Sequence, residues 1–369
     1  MGIERKWDDA IHYKPDFFNS FWSERLRRKR DILLILGLGW DPRMNALAKA
    51  LKTFDAKGLR HVHLINYRPS PSFESPYQSF IEKNIQELDL VTENWAKKTD
   101  VPIFTRKEGN SYVGDEEISR YYAKFDISPY TEILIDISSL TKSLYLTLLL
   151  ILVKKCTMID ERINLHVVAC QDVDLDSQIT ESADDTRVLK GFKAKLERLS
   201  QQQIPKIWAP LLSQGSKNSL RKLHERIGPK DIYPIFPFPS LNPRNDDDLL
   251  VEHRGILVDE WAFDPLNIIY AAEDDPLDVY RSLLGLYQRQ QEALKPLGGV
   301  FMVISALSSK LSSIGAFMAA FEKNMAIVHA IGRHDPPTNM GLDFWDKDHI
   351  IRFKDNLHSI WLTGEPYVE

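Results

Sequence analysis

Apolar positions along this chain come in blocks with two different rhythms. Short apolar runs, such as "ILLILG" at 32–37, read as strands buried on both faces. Between them lie longer segments in which apolar residues return every three or four positions, the pattern of amphipathic helices. In the first half the strands are "DILLILGLG", "HVHLINYR", "VPIFTRKEG", "TEILIDISS" and "RINLHVVACQD". The intervening helices include one opened by Asp41 as N-cap and Pro42 at its first position, with Met44, Leu47, Leu51 and Phe54 on one face. A second covers 75–98, with Phe80, Ile81, Ile85, Leu88 and Val91 inward, and "LTKSLYLTLLLILVKKC" is apolar almost all round. A polar stretch follows, with an amphipathic helix expected at 188–199. The rhythm then resumes with strands "KIWAPLL", "DIYPIFPFP", "NIIYAAED", "GGVFMVISA" and "MAIVHAIGR", again separated by helices.

Strands that alternate with helices of this length predict right-handed crossovers and parallel sheets covered on both faces. The expected fold is α/β, with two tandem doubly wound domains. Residues 1–30 read as an N-terminal extension, 31–172 as the first domain, 173–203 as a polar linker, 204–335 as the second domain and 336–369 as a C-terminal tail with "SIWLTGE" as an edge strand. Corresponding steps look alike. Each second strand ends in a proline-rich turn, "INYRPSPS" against "IFPFPSLNP". Each fourth strand ends in hydroxyl residues, a leucine and a lysine, "ISSLTK" against "ISALSSK". An internal duplication would produce this, and so would any two doubly wound domains.

Composition narrows the picture. A length of 369 residues suits two domains, and 43% hydrophobic with 27% charged content is ordinary for a globular chain. A net charge of −5 supplies no basic field for nucleic acid, so the basic run 23–30, "SERLRRKR", reads as a solvated helix face. Two cysteines, Cys156 and Cys170, and no signal-peptide pattern point to the cytoplasm. The apolar run 144–153 is about half the length of a membrane span, so no membrane partner is expected.

In doubly wound sheets, ligands bind beyond the carboxyl ends of the strands, where the strand order reverses. With an order of 3-2-1-4-5, the loops after strands 1 and 4 matter most. After the first strand, Gly37 and Gly39 allow close backbone approach, and Arg43 in the following helix could hold a phosphate or simply be solvated. Neither a dinucleotide fingerprint nor a P-loop is present, and no motif requires a cofactor. After the fourth strand, Ser138, Ser139, Thr141 and Lys142 offer hydroxyls and a charge to an anion, or else form an ordinary cap. The second half supplies Gln214, Gly215, Ser216 and Lys217 after its first strand, Ser240, Asn242 and Arg244 after its second, and Ser305, Ser308, Ser309 and Lys310 after its fourth. Arg68 and Ser70 follow the second strand of the first half. Asp136, Asp41 and Glu273 are the candidate catalytic carboxylates, with Asp274 beside Glu273. His61 and His63 share a strand face but lack a third ligand type, so no metal is expected. His334 and Asp335 follow the last strand and read as a loop cap.

The strand ending in Asp136-Ile-Ser-Ser-Leu-Thr-Lys142 and entering an apolar helix resembles the fourth-strand signature of CARF domains. Those are Rossmann-like sensors of cyclic oligonucleotides in prokaryotic antiviral defence. Two such halves in one chain resemble SAVED, a fused pair of CARF-like units. The resemblance rests on Ser138, Ser139, Thr141 and Lys142, with an echo at Ser305, Ser308, Ser309 and Lys310. It departs where many CARF domains have paired glycines, and no nuclease, protease or DNA-binding domain is attached. It implies a sensor that binds a nucleotide-like small molecule and signals to a partner protein carrying the effector activity. Two alternatives stand beside it: a nucleotide or nucleoside hydrolase or transferase, and a structural adaptor that binds no ligand.

Overall fold

A computed structural model describes residues 5–54, 56–106, 112–172, 175–176, 179–181, 185–191, 204–240, 242, 244–331, 334–335, 353 and 355–368. Along the chain, β1 (Ile11–Tyr13) and α1 (Pro15–Arg25) precede β2 (Ile32–Gly37). A 3-10 turn at Pro42–Asn45 then leads into α2 (Ala46–Lys52). Next come β3 (Arg60–Arg68), α3 (Gln78–Thr92), β4 (Lys97–Phe104), α4 (Gly114–Lys124), β5 (Glu132–Asp136), α5 (Lys142–Ile159) and β6 (Asn164–Cys170). The short strands β7 (Thr180–Glu181) and β8 (Asp185–Val188) lead to β9 (Lys206–Leu211), α6 (Lys217–Ile227), β10 (Asp231–Ile232), β11 (Ile235–Pro237) and α7 (Asn245–Arg254). After these come β12 (Ile269–Ala271), α8 (Pro276–Ala293), β13 (Phe301–Ala306), α9 (Lys310–Lys323), β14 (Ala326–Ile331), β15 (His334–Asp335) and β16 (Leu357–Thr363).

The chain forms two α/β units, each around its own parallel-dominated sheet. The first unit comprises Ala10–Asp176 with Pro336–Glu369, and the second comprises Met1–Asp9 with Ser177–Asp335. The first sheet runs β1-β16-β6-β5-β2-β3-β4, and its five central crossover strands are parallel in the order 3-2-1-4-5. The second runs β12-β11-β9-β13-β14-β8 with the same parallel order, and β10 also pairs with β9. In both sheets the strand order therefore reverses between strands 1 and 4. Strands β2, β5 and β6 are buried at every position, as central strands covered on both faces require, although β5 carries Glu132 and Asp136 and β6 carries Asn164 and His166.

Three features depart from the sequence reading. The residues expected as an edge strand form β16, which is buried at all seven positions and lies antiparallel between β1 and β6. Strand β4 starts at Lys97, so α3 stops at Thr92. At a sheet edge, polar Lys97, Lys98 and Asp100 can extend a ladder with β3 that their side chains do not advertise. Residues 185–188 form a strand on β14, so Val188, the first residue of the expected linker helix, lies in a strand and 189–191 are not helical; residues 192–199 of that helix lie outside the described residues.

The basic run 23–30 is a solvated face at Glu24, Arg27, Arg28 and Lys29, but not at Arg25 and Arg30. The side chains of Arg25 and Arg30 are only 8% and 14% exposed and pair with the fully buried Glu132. Burying that carboxylate demands cationic partners, and these two arginines supply them. No helix among the described residues is long and apolar enough to cross a membrane. Helix α5 instead buries most of its length within the first unit.

Candidate functional site

The crevice of the first unit lies between the loops that follow β2 and β5. Ser139 Oγ donates to the Gly37 carbonyl at 2.6 Å, which joins the two loops directly. Ser138 Oγ accepts from the Cys170 amide at 2.9 Å and ties the same turn to the end of β6. Asp136, fully buried, accepts from the Ser138 amide at 2.9 Å. The Tyr67 hydroxyl donates to the Ser139 carbonyl at 2.9 Å, and the Asn84 side-chain amide donates to the carbonyls of Gly39 and Asp41 at 2.8 and 3.1 Å. A Cβ added to Gly37 would sit 2.6 Å from a methyl of Leu140. The β5–α5 loop therefore packs closely on Gly37 through Leu140 and Ser139.

Asp41 caps the turn after β2 by accepting from the Arg43 amide at 2.9 Å. Arg43 neither reaches for a phosphate nor lies in solvent. Its guanidinium is fully buried, donating through Nε and Nη2 to Asp41 at 2.7–3.1 Å and through Nη1 to Asp176 at 2.8 Å. Burial works against its charge, but Asp41 and Asp176 outweigh that and hold the guanidinium more firmly protonated than usual. Burial pushes the Cys170 thiol well up, so that sulfur is not a nucleophile. What the first corner leaves half-buried is Thr141 and Lys142, at the start of α5. Arg68, at the end of β3, lies with its guanidinium carbon 5.6 Å from the centre of the Phe104 ring.

The corner of the second unit is organised around Glu273, just past β12. Ser240, after β11, hydrogen-bonds its carboxylate, and Asn245 donates to Ser240 Oγ at 3.3 Å. The Glu273 amide donates to the Pro239 carbonyl at 3.0 Å, and Ser309 Oγ donates to the Glu273 carbonyl at 3.4 Å. The loops after the second, third and fourth strands of this unit therefore meet at one half-buried residue, Glu273, with half-buried Ser308 and Lys310 alongside. Ser305 is not part of this rim: fully buried, it accepts from the Trp208 indole at 3.0 Å. Ser216 is 7% exposed and donates to the Ser213 carbonyl at 2.7 Å, while the Gly215 amide donates to Glu252 at 2.9 Å. Lys217 and Arg244 are exposed at the starts of α6 and α7. The side chains of His334 and Asp335 lie outside the described residues.

The histidine pair on β3 is taken up by tyrosines. His61 Nδ1 is 2.9 Å from the Tyr130 hydroxyl and His63 Nδ1 is 3.3 Å from the Tyr122 hydroxyl. No cluster of three metal-ligating side chains occurs among the described residues. Tyr67, Asn84 and Asp176 of the first corner, and Asn245 and Glu252 of the second, were not legible as site residues. Each meets its partner only through the fold.

One equivalence between the corners is geometric. Thr141 and Ser309 are the N-caps of the helices after each fourth strand, both extended, with φ/ψ of −73°/150° and −55°/164°. Lys142 and Lys310 are the first helical residues behind them.

No protein-family model matches the chain, and no curated protein matches it. Among solved structures, a universal stress protein from Archaeoglobus fulgidus DSM 4304 aligns at 10% identity over 82% of this chain and 97% of its own, with a TM-score of 0.22. An uncharacterized protein from Mycobacterium Paratuberculosis aligns at 8% identity over 88% and 90%, with a TM-score of 0.23. O-ureido-L-serine synthase aligns at 9% identity over 92% and 87%, with a TM-score of 0.18.

Proposed function

We propose that this chain is a ligand-sensing protein of a prokaryotic antiviral defence system. It binds a nucleotide-like anion at the carboxyl ends of its parallel strands and signals to a partner protein. The observation that carries this reading is the repeated pair, Thr141 with Lys142 and Ser309 with Lys310. Each pair places a hydroxyl and an ammonium at the start of a helix of at least fourteen residues, beside the reversal point of its sheet. The remaining first-turn amides at such a helix start favour an anion, Ser309 Oγ already capping the Ser312 amide in the second corner, and the lysine adds charge. In the second corner Glu273 and Ser240 are suited to accept and donate to ribose hydroxyls. A ligand of this kind signals by binding one conformation of the protein more tightly than another.

The enzyme alternative narrows to one residue. Asp136 and Asp41 are buried and bonded within the first corner, whereas Glu273 is half-buried at a rim. The adaptor alternative draws on the first crevice, where Ser139 and Leu140 pack against Gly37. Calorimetry with cyclic di-, tri- and tetranucleotides separates the three readings. Saturable binding, weakened on the order of tenfold or more by Lys142→Ala or Lys310→Ala, is expected. Absence of binding across the panel removes the sensor. Turnover of NAD, ATP or nucleosides that Glu273→Gln abolishes would replace it with the enzyme.

A further inference from the structure

Away from its own strand-end corner, the first unit has a cleft of about 660 Å³ between α1 and the turn after β16. That volume falls within the range of small-molecule sites. One wall is aromatic. The rings of Tyr13 and Phe21 stack with centroids 3.8 Å apart at 17°, and Phe17 lines the cleft while remaining 64% exposed. A phenylalanine so exposed on a cleft wall is apolar surface that a bound ring would remove from water.

The floor is charged, and its charges can be assigned to partners. Arg25 donates through Nε and Nη2 to Glu132 at 3.1 and 2.7 Å, and through Nη1 to Glu365 at 3.2 Å. Its guanidinium carbon lies 4.2 Å from the centre of the Trp361 ring, which fixes the plane of the fork. Arg30 donates to the other oxygen of Glu365 at 2.5 Å and lies 3.3 Å from Glu132. These two arginines and two glutamates neutralise one another. Glu24 pairs with Arg27 at 2.8 Å. Arg28 remains. It lines the cleft, is exposed, and makes no ion pair among the described residues. The cleft thus combines an exposed aromatic wall, a charged floor and, in Arg28, a cation that makes no ion pair among the described residues.

We propose that this cleft binds a small ligand with a planar aromatic body and a single anionic group, a carboxylate, sulfonate or phosphate ester. The ring lies against Phe17 and Tyr13, and the anion is held by Arg28. The site shares no residue with the strand-end corners and does not depend on what binds there. Calorimetry of the full chain with naphthalene-2-sulfonate tests it. One-site saturable binding is expected, weakened on the order of tenfold by Arg28→Ala and by Phe17→Ser, and unchanged by Lys142→Ala. Residues 17 and 28 are both exposed, so the thermal melting of these variants stays that of the parent chain. Neutral 2-naphthol is expected to bind on the order of tenfold more weakly. Non-saturable binding, binding that Arg28→Ala leaves unchanged, or equal binding of the neutral probe overturns the proposal.

Discussion

His63 faces three aromatic rings on α4 and the turn behind it, with centroids of Tyr121, Tyr122 and Phe125 at 6.1, 6.0 and 4.5 Å. It is 3% exposed, and burial, aided by Lys97 and His61, lowers its pKa to about 4. The unfolded chain takes up this proton near pH 6.5, the folded chain only near pH 4. Between those values unfolding binds a proton, so stability falls as the pH drops; above the window the contribution is whole. The loss amounts to at most about 3 kcal/mol. Urea midpoints at pH 7.5 and pH 4.5 are expected to fall further apart in the parent chain than in His63→Asn, and equal falls would exclude His63 as the cause. The same scale explains what the serines at the end of β5 do. Their hydroxyls were visible in the sequence, but their partners were not. Ser139 meets Gly37, 102 positions away, and Ser138 meets Cys170, 32 positions away.

Helix α9 shows how packing overrules propensity. Gly315 sits in its interior, where alanine would stabilise an isolated helix by about 1 kcal/mol. A Cβ there would lie 2.2 Å from the Pro276 carbonyl oxygen and 2.8 Å from Val279 Cβ, both on α8. The backbone of the neighbouring helix cannot yield as a side-chain end can. Gly315→Ala is therefore expected to lower stability, by about 1–3 kcal/mol, measured by urea denaturation; a stabilised variant would show that the two helices separate at little cost. Strand β4 illustrates the reverse limit. Its polar start gave no apolar signal, because an edge strand is held by its ladder with β3 over eight residues and needs few buried side chains.

At the scale of the whole molecule, the chain changes unit more than once. Its first described residues belong to the second unit, where Trp7 is fully buried against Tyr280 and Phe321 at 6.1 and 5.6 Å between ring centroids. Its last strand belongs to the first unit, inside the sheet. A chain ended after residue 355 lacks β16, and with it the partner of both β1 and β6. Calorimetry of that chain is expected to lose the transition of the first unit and keep that of the second, which has no segment beyond Asp335. Two intact transitions would make β16 dispensable.

The parallel cores were legible because each central strand is dominated by apolar residues and each crossover helix repeats at its own period; these are local properties of ten to twenty residues. From them follow the α/β class, the alternation in both halves and the location of the two corners. Only the tertiary structure decided which polar groups at those corners face one another. Arg43 looked available, but its guanidinium is bound by Asp41 and, across the fold, by Asp176. Glu132 looked like one polar residue opening a strand, yet it draws in Arg25 and Arg30 and so builds the floor of a cleft. A buried charge must find its counter-charge wherever the chain brings one, and sequence separation places no limit on that search.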